Sequence, residues 1–103
     1  MDGLELISFK IISAVGTAKS MYVEAIQEAK KGNFNEAERL MEEGAQVFTQ
    51  GHHAHGSLIQ KEASGEKVEF NLLLMHAEDQ LMTTETFKLI AEEFIELYRL
   101  QHH

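Results

Sequence analysis

The 103-residue sequence contains no cysteine, no proline and no tryptophan. Without cysteine, a disulfide framework, a thiolate nucleophile and a cysteine zinc site are excluded. The same absence fits a reducing compartment, so a cytoplasmic location is expected. Without proline, no residue forces a helix to break or kink. No apolar run approaches the roughly 18–20 residues that a membrane span needs. Basic residues are scarce: 9 Lys and Arg stand against 17 Asp and Glu, for a net charge of −8. Nucleic acid is therefore not an expected partner, because phosphate neutralisation supplies most of that affinity. The acidic surface suits solubility and encounter with a basic protein. The opening MDGLELISFK places acids before any base and does not read as a signal peptide.

What is present is helix-forming. The chain is rich in Ala, Glu, Leu and Met, which predicts an all-α domain spanning residues 1–103. Three segments follow. The first runs from about Leu4 to Lys31, where Leu4, Ile7, Ile11, Ala14, Ala18, Met21 and Ala25 recur at steps of three and four. Ile12, Val15, Tyr22 and Ile26 widen this stripe. Gly16 inside it predicts close approach of another helix, and Gly32 suits the position after a helix end. The second segment starts near Asn35, with Glu38 at capping-box spacing. Its predicted inner face is Ala37, Met41, Gly44, Phe48, His52, His55 and Ile59, and Gly65 is the predicted stop. The third runs from about Phe70 to Leu100. Short connections predict three antiparallel helices.

The third segment is the unusual one. Leu72, His76, Asp79, Thr83, Phe87, Ile90, Phe94 and Leu97 form one stripe, whose far half reads as core. Leu73, Leu74, Met75, Ala77, Leu81 and Met82 make its near half apolar almost all round. A helix in a three-helix monomer buries only one stripe. The pattern predicts an oligomer in which the start of this helix faces its own bundle and other subunits.

His76 and Asp79 share one helix face at i and i+3. A carboxylate beside an imidazole can fix its tautomer and raise its basicity. Such an imidazole can act as a base, ligate a metal or accept a phosphoryl group. Gln80, at i+4 from His76, can add a hydrogen bond, whereas Glu78 is expected to point elsewhere, into solvent or an interface. A surface histidine with an incidental acid is the simpler reading of the spacing alone. Asp79 in an apolar stripe argues against it, since an unpaired buried charge is costly. Copies of Asp79 around a symmetry axis need a cation between them, and hard oxygen ligands suit Mg²⁺ or a similar ion. His52 and His55 in GHHAHG are a weaker metal candidate, because neither Glu-x-x-His nor His-Glu-x-x-His occurs. They are expected to pack and hydrogen-bond near the contact between the second and third helices. No phosphate-cradling glycine loop and no Gly-x-Ser-x-Gly is present. His102 and His103 end the chain and read as remnants of a purification tag.

LLLMHAEDQLMTTETF (72–87), SLIQKEASGEK (57–67) and KKGNFNEAERLMEEG (30–44) together resemble the lactose/cellobiose-type enzyme IIA of the bacterial sugar phosphotransferase system. The resemblance covers nearly the whole chain. It implies a subunit of three antiparallel helices that assembles as a homotrimer, a nine-helix bundle. It places the family's phosphorylated histidine on His76. Its metal-coordinating carboxylate falls on Asp79, with one Mg²⁺ or similar divalent cation per trimer at the threefold axis. The implied partners are HPr as phosphoryl donor, enzyme IIB as acceptor through a cysteine, and a membrane sugar permease indirectly. Nε2 of His76 is the implied nucleophile, and Gln80, from its i+4 spacing, is expected to hydrogen-bond a phosphoryl oxygen. The lactose branch reads H-A-Q-D-H-L-M, whereas this chain has Glu78 and Gln80 at the third and fifth positions. The variant is closer to the cellobiose or other β-glucoside branch. The alternatives are a metal-binding bundle using His52, His55 and His76, and a purely structural helical adaptor.

Overall fold

The computed structural model describes residues 3–102; Met1, Asp2 and His103 lie outside the described residues. Three long helices make up the fold: α1 (Gly3–Lys30), α2 (Phe34–Ala63) and α3 (Leu72–Gln101). They form a rod of 56 × 23 × 20 Å. No helix among the described residues is long and apolar enough to cross a membrane.

The helix ends follow from local chemistry. After Lys30, Gly32 adopts φ +86°, the left-handed conformation that glycine takes at least cost. The Gly32 amide then donates to the Ala29 carbonyl and the Asn33 amide to that of Glu28, which satisfies two carbonyls at the end of α1. Gly65, at φ +94°, repeats the arrangement after α2, with its amide on Glu62 and that of Glu66 on Lys61. At the start of α3, the Asn71 side-chain oxygen accepts from the Leu74 amide at 2.8 Å. This cap places the first helical residue at Leu72, two beyond the expected Phe70. The expected cap at Asn35 is wrong: Asn33 is the cap residue of α2. Its side chain donates to Glu28 at 3.2 Å and does not cap through a side-chain bond, while Glu38 reaches Arg99.

α1 is the central helix. It lies against both α2 and α3, which meet each other little. The α1 stripe is buried as expected at Ile11, Ala14, Val15, Ala18, Tyr22 and Ala25, and Ser8 and Ala29 are buried with it. Small residues on the partners let the backbones close in. A side-chain carbon added at Gly44 would lie 2.7 Å from the Tyr22 ring, and one at Gly51 would lie 3.0 Å from Val15. Gly16, by contrast, has no neighbour at that position, so close packing does not explain it.

Two inner faces differ from expectation. On α2, the buried residues are Ala37, Leu40, Gly44, Gly51 and Leu58, while His52 and Ile59 are exposed. On α3, the buried residues are Leu74, Ala77, Leu81, Thr84, Ala91 and Ile95. The far half of the expected core stripe instead turns outward: Ile90, Phe94 and Leu97 are exposed and Phe87 is half-buried. The physical reason is size. Ala77, Thr84 and Ala91 allow α3 to approach α1, whereas the larger stripe holds helices further apart. Two polar groups within the core, the Ser8 and Thr84 hydroxyls, and the Tyr22 hydroxyl have no hydrogen-bond partner among the described residues. Burial, with Glu92 adding to it, pushes the Tyr22 hydroxyl pKa up to about 12.

Of the terminal histidine pair, His102 packs edge-on against Phe34, with ring centroids 5.2 Å apart. The Arg99 guanidinium lies 4.8 Å from the same Phe34 ring, which ties the end of α3 to the start of α2.

Candidate functional site

The Asn71 cap fixes where α3 begins and therefore the rotational position of each residue after it. His76 falls in the second turn and is exposed, between exposed Met75 and buried Ala77. Its ring makes no side-chain hydrogen bond among the described residues, so both ring nitrogens are open to a partner. Asp79 is also exposed, on the neighbouring part of the same face. Gln80 is half-buried. No hydrogen bond among the described residues joins either side chain to His76. The backbone carbonyls of Asp79 and Gln80 accept from the Thr83 hydroxyl at 2.8 and 3.3 Å.

The surroundings of His76 are apolar. Leu72 is 82% exposed, Met75 57% and Met82 63%. Leu89, Ile90, Phe94 and Leu97 continue the uncovered surface to the end of the helix. Leu74, expected in the ring of subunit contacts, is instead buried in its own bundle, and Leu73 is half-buried. Beside the start of α3 lies a shallow groove of about 360 Å³, lined by Ile59, Val68, Phe70, Leu74 and Met75, with Glu62 and Glu78 at its rim. The first turns of α1 and α2 carry the acids Glu5 and Glu36, but the first turn of α3 carries none.

Glu78 points away from His76, as expected, and meets α2 rather than solvent: its carboxylate accepts from the His55 Nε2, at 2.8 Å and 2.7 Å from the two oxygens. His55 therefore lies at the α2–α3 contact, as expected, but His52 does not. Local spacing holds no signal for this pair. A signal does exist in the hairpin register, since both residues sit at similar distances from the α2–α3 connection.

The metal reading of His52, His55 and His76 finds no support. Among the described residues, no three or more His, Cys, Asp or Glu side chains come together as a metal site. His55 is engaged by Glu78, and His52 is exposed away from it.

Comparison with known proteins gives matches in both sequence and fold. The family described as "PTS system, Lactose/Cellobiose specific IIA subunit" matches residues 6–99. The chain is 44% identical over 97 residues to the lichenan-specific phosphotransferase enzyme IIA component of Bacillus subtilis (strain 168), covering 94% of this chain and 88% of that one. It is 35% identical over 98 residues to the lactose-specific EIIA component of Staphylococcus aureus (strain N315), covering 95% of each. Among solved structures, the cellobiose-specific enzyme IIA from Bacillus anthracis superposes with a TM-score of 0.95 at 42% identity, covering 98% of this chain and 93% of that one. The IIA(chitobiose) chain of an IIA–HPr complex from the Escherichia coli phosphotransferase system superposes at 0.83 and 29% identity, covering 99% and 100%.

Proposed function

The chain belongs to the lactose/cellobiose-specific IIA subunits of the sugar phosphotransferase system, phosphotransferase components that carry phosphoryl groups, and from that premise we propose that His76 is the residue that carries the group. The observation that supports this most is the state of His76 itself. It is an exposed imidazole with no hydrogen-bond partner among the described residues, set in an uncovered apolar surface. A structural histidine is held by its neighbours; this one is not.

The donor is HPr carrying a phosphohistidine, the partner named in the chitobiose complex. The Nε2 lone pair of His76 attacks phosphorus in line with the donor's N–P bond. A new N–P bond forms as the old one breaks, and the electron pair returns to the donor imidazole. In the second step a thiolate of enzyme IIB attacks the same phosphorus. An S–P bond forms, and the electron pair returns to Nε2 of His76. Cellobiose or a related disaccharide, taken up through a membrane permease, is the final acceptor. The protein's part is positioning and charge stabilisation, as is general for phosphoryl transfer. Gln80 supplies a hydrogen bond to a phosphoryl oxygen. All of these steps take place in the cytoplasm.

The working form is a homotrimer. The uncovered stripe of Leu72, Met75, Met82, Leu89, Ile90, Phe94 and Leu97 is more apolar surface than a monomer of this size leaves exposed without a partner. Packing three copies along α3 covers it. Asp79 lies on this stripe, and one chain alone brings no metal-binding group together among the described residues. Three copies of its carboxylate form an all-oxygen donor set that fits Mg²⁺ or a similar divalent cation. Such a cation offsets the mutual repulsion of the carboxylates.

The test is intact-mass analysis after incubation with phosphoenolpyruvate, enzyme I and HPr, on wild type and His76→Ala. One acid-labile phosphoryl group on wild type alone is expected. An adduct that persists in His76→Ala would move the site elsewhere.

A further inference from the structure

We propose that His55 and Glu78 form a positioning clamp that holds the His76 turn in register for phosphoryl transfer, an inference that rests on His76 being the acceptor. The two residues belong to different helices, yet the His55 Nε2 meets the Glu78 carboxylate at 2.7–2.8 Å. α2 and α3 have little other contact, because each lies against α1. Among the described residues, the other side-chain hydrogen bond between α2 and α3 joins Arg99 to Glu38 at the opposite end of the rod. That pair is 46% and 62% exposed, whereas His55 and Glu78 are 18% and 32% exposed.

The position of the clamp gives it a role. Glu78 follows His76 by two residues, in the same turn of α3. The His76 ring has no hydrogen bond of its own among the described residues, so its place is set by the helix that carries it. α3 is entered from a connection, residues 64–71, that is exposed except at Val68. Within the first turns, Leu74 and Ala77 are buried, and Ala77 joins the core cluster around Ile11 and Val15 of α1. These contacts fix the approach of α3 to α1. Toward α2 the same cluster meets Phe48 and Ala54, apolar contacts that have no direction of their own. The imidazole–carboxylate bond adds a directional restraint beside His76.

Direction matters more than charge here. Both groups are part-buried and still reached by solvent, which weakens their Coulombic attraction. What remains is a hydrogen bond, with the imidazole Nε2–H as donor and the carboxylate as acceptor. A glutamine in the place of Glu78 keeps an acceptor oxygen. An alanine keeps none. Displacing a reacting group by about 1 Å can slow a reaction by about 100-fold, so losing the clamp is expected to reach the chemical step.

The experiment is single-turnover phosphorylation of the full chain by phospho-HPr, followed over a range of donor concentrations. His55→Ala and Glu78→Ala are expected to lower the limiting rate by about 10- to 100-fold. The half-saturating donor concentration, the helical circular dichroism and the assembly mass stay at their wild-type values. His55→Phe keeps the ring's bulk without its donor and is expected to match His55→Ala. The double alanine variant is no slower than either single one, as two partners in one contact require. Glu78→Gln retains most of the wild-type limiting rate. Wild-type limiting rates in both alanine variants would overturn the clamp. So would a change confined to the half-saturating concentration, or a Glu78→Gln variant as slow as Glu78→Ala. A wild-type chain that never becomes phosphorylated would overturn the acceptor reading and the clamp together, and is told apart from the other outcomes by that missing adduct.

Discussion

α3 presents apolar residues on two sides, and the two sides differ in the size of their side chains. The side turned to α1 holds Ala77, Thr84 and Ala91 between Leu74, Leu81 and Ile95. The side turned away holds Leu72, Met75, Met82, Ile90, Phe94 and Leu97, together with His76 and Asp79. Small residues let the α1 and α3 backbones come close, and the core of the subunit forms there. Large residues on the other side project into space that the subunit does not fill. The proposed trimer would cover that surface with other chains. The comparison separates two jobs on one helix: the inner side makes the subunit, and under the proposed function the outer side makes the assembly and carries the chemistry.

The largest break in this comparison should come from the inner side. Leu81 is 4% exposed and packs with Ile11, Val15 and Ala77. Leu81→Ala is expected to lower the unfolding free energy by about 2–5 kcal/mol, measured by urea denaturation. Phe94→Asp, on the outer side, is expected to leave the helical signal of the subunit intact while dissociating the assembly, measured by sedimentation. If Phe94→Asp unfolds the chain instead, the two jobs are not separate. Asp79→Leu removes like-charge repulsion from the outer side. The assembly is expected to persist or tighten, and to stop responding to EDTA. A monomeric Asp79→Leu protein would contradict the axial carboxylate.

The smallest effect belongs to Tyr22, in the inner region. Its hydroxyl is buried without a partner among the described residues, so Tyr22→Phe is expected to be neutral or slightly stabilising near pH 7. Its folded pKa is about 12, above the ordinary value of 10.0. The protonated form is therefore favoured by the fold. This contribution is fully present below pH 10 and is lost as pH rises through about 12. An alkaline unfolding series compared with Tyr22→Phe checks it: the loss of stability in that window should shrink in the variant.

Much of this arrangement was legible in the residues. The α1 stripe of Ile11, Ala14, Ala18 and Ala25 has one reading, because only one side of that helix carries a continuous run at helical spacing. The glycine stops at Gly32 and Gly65 follow from their left-handed backbone. His76 and Asp79 stand on one uncovered face, as their spacing required. The inner side of α3 was not legible, because a helix that is apolar nearly all round has no unique stripe. Ala77 and Ala91 decide the matter through packing distance, which hydropathy does not record. The cap of α2 was misplaced because Asn33 and Asn35 both precede helical residues, and the Gly32 turn decides between them. The His55–Glu78 contact joins two helices, so no local spacing could show it.

The most direct test of the account is the mass of the wild-type chain in solution, by sedimentation equilibrium at micromolar concentration with Mg²⁺ present. The account predicts three times the 11.7 kDa of one chain. A monomer would leave the outer side of α3 without the partner its large side chains require, and a fourfold assembly would contradict three Asp79 carboxylates meeting on one axis.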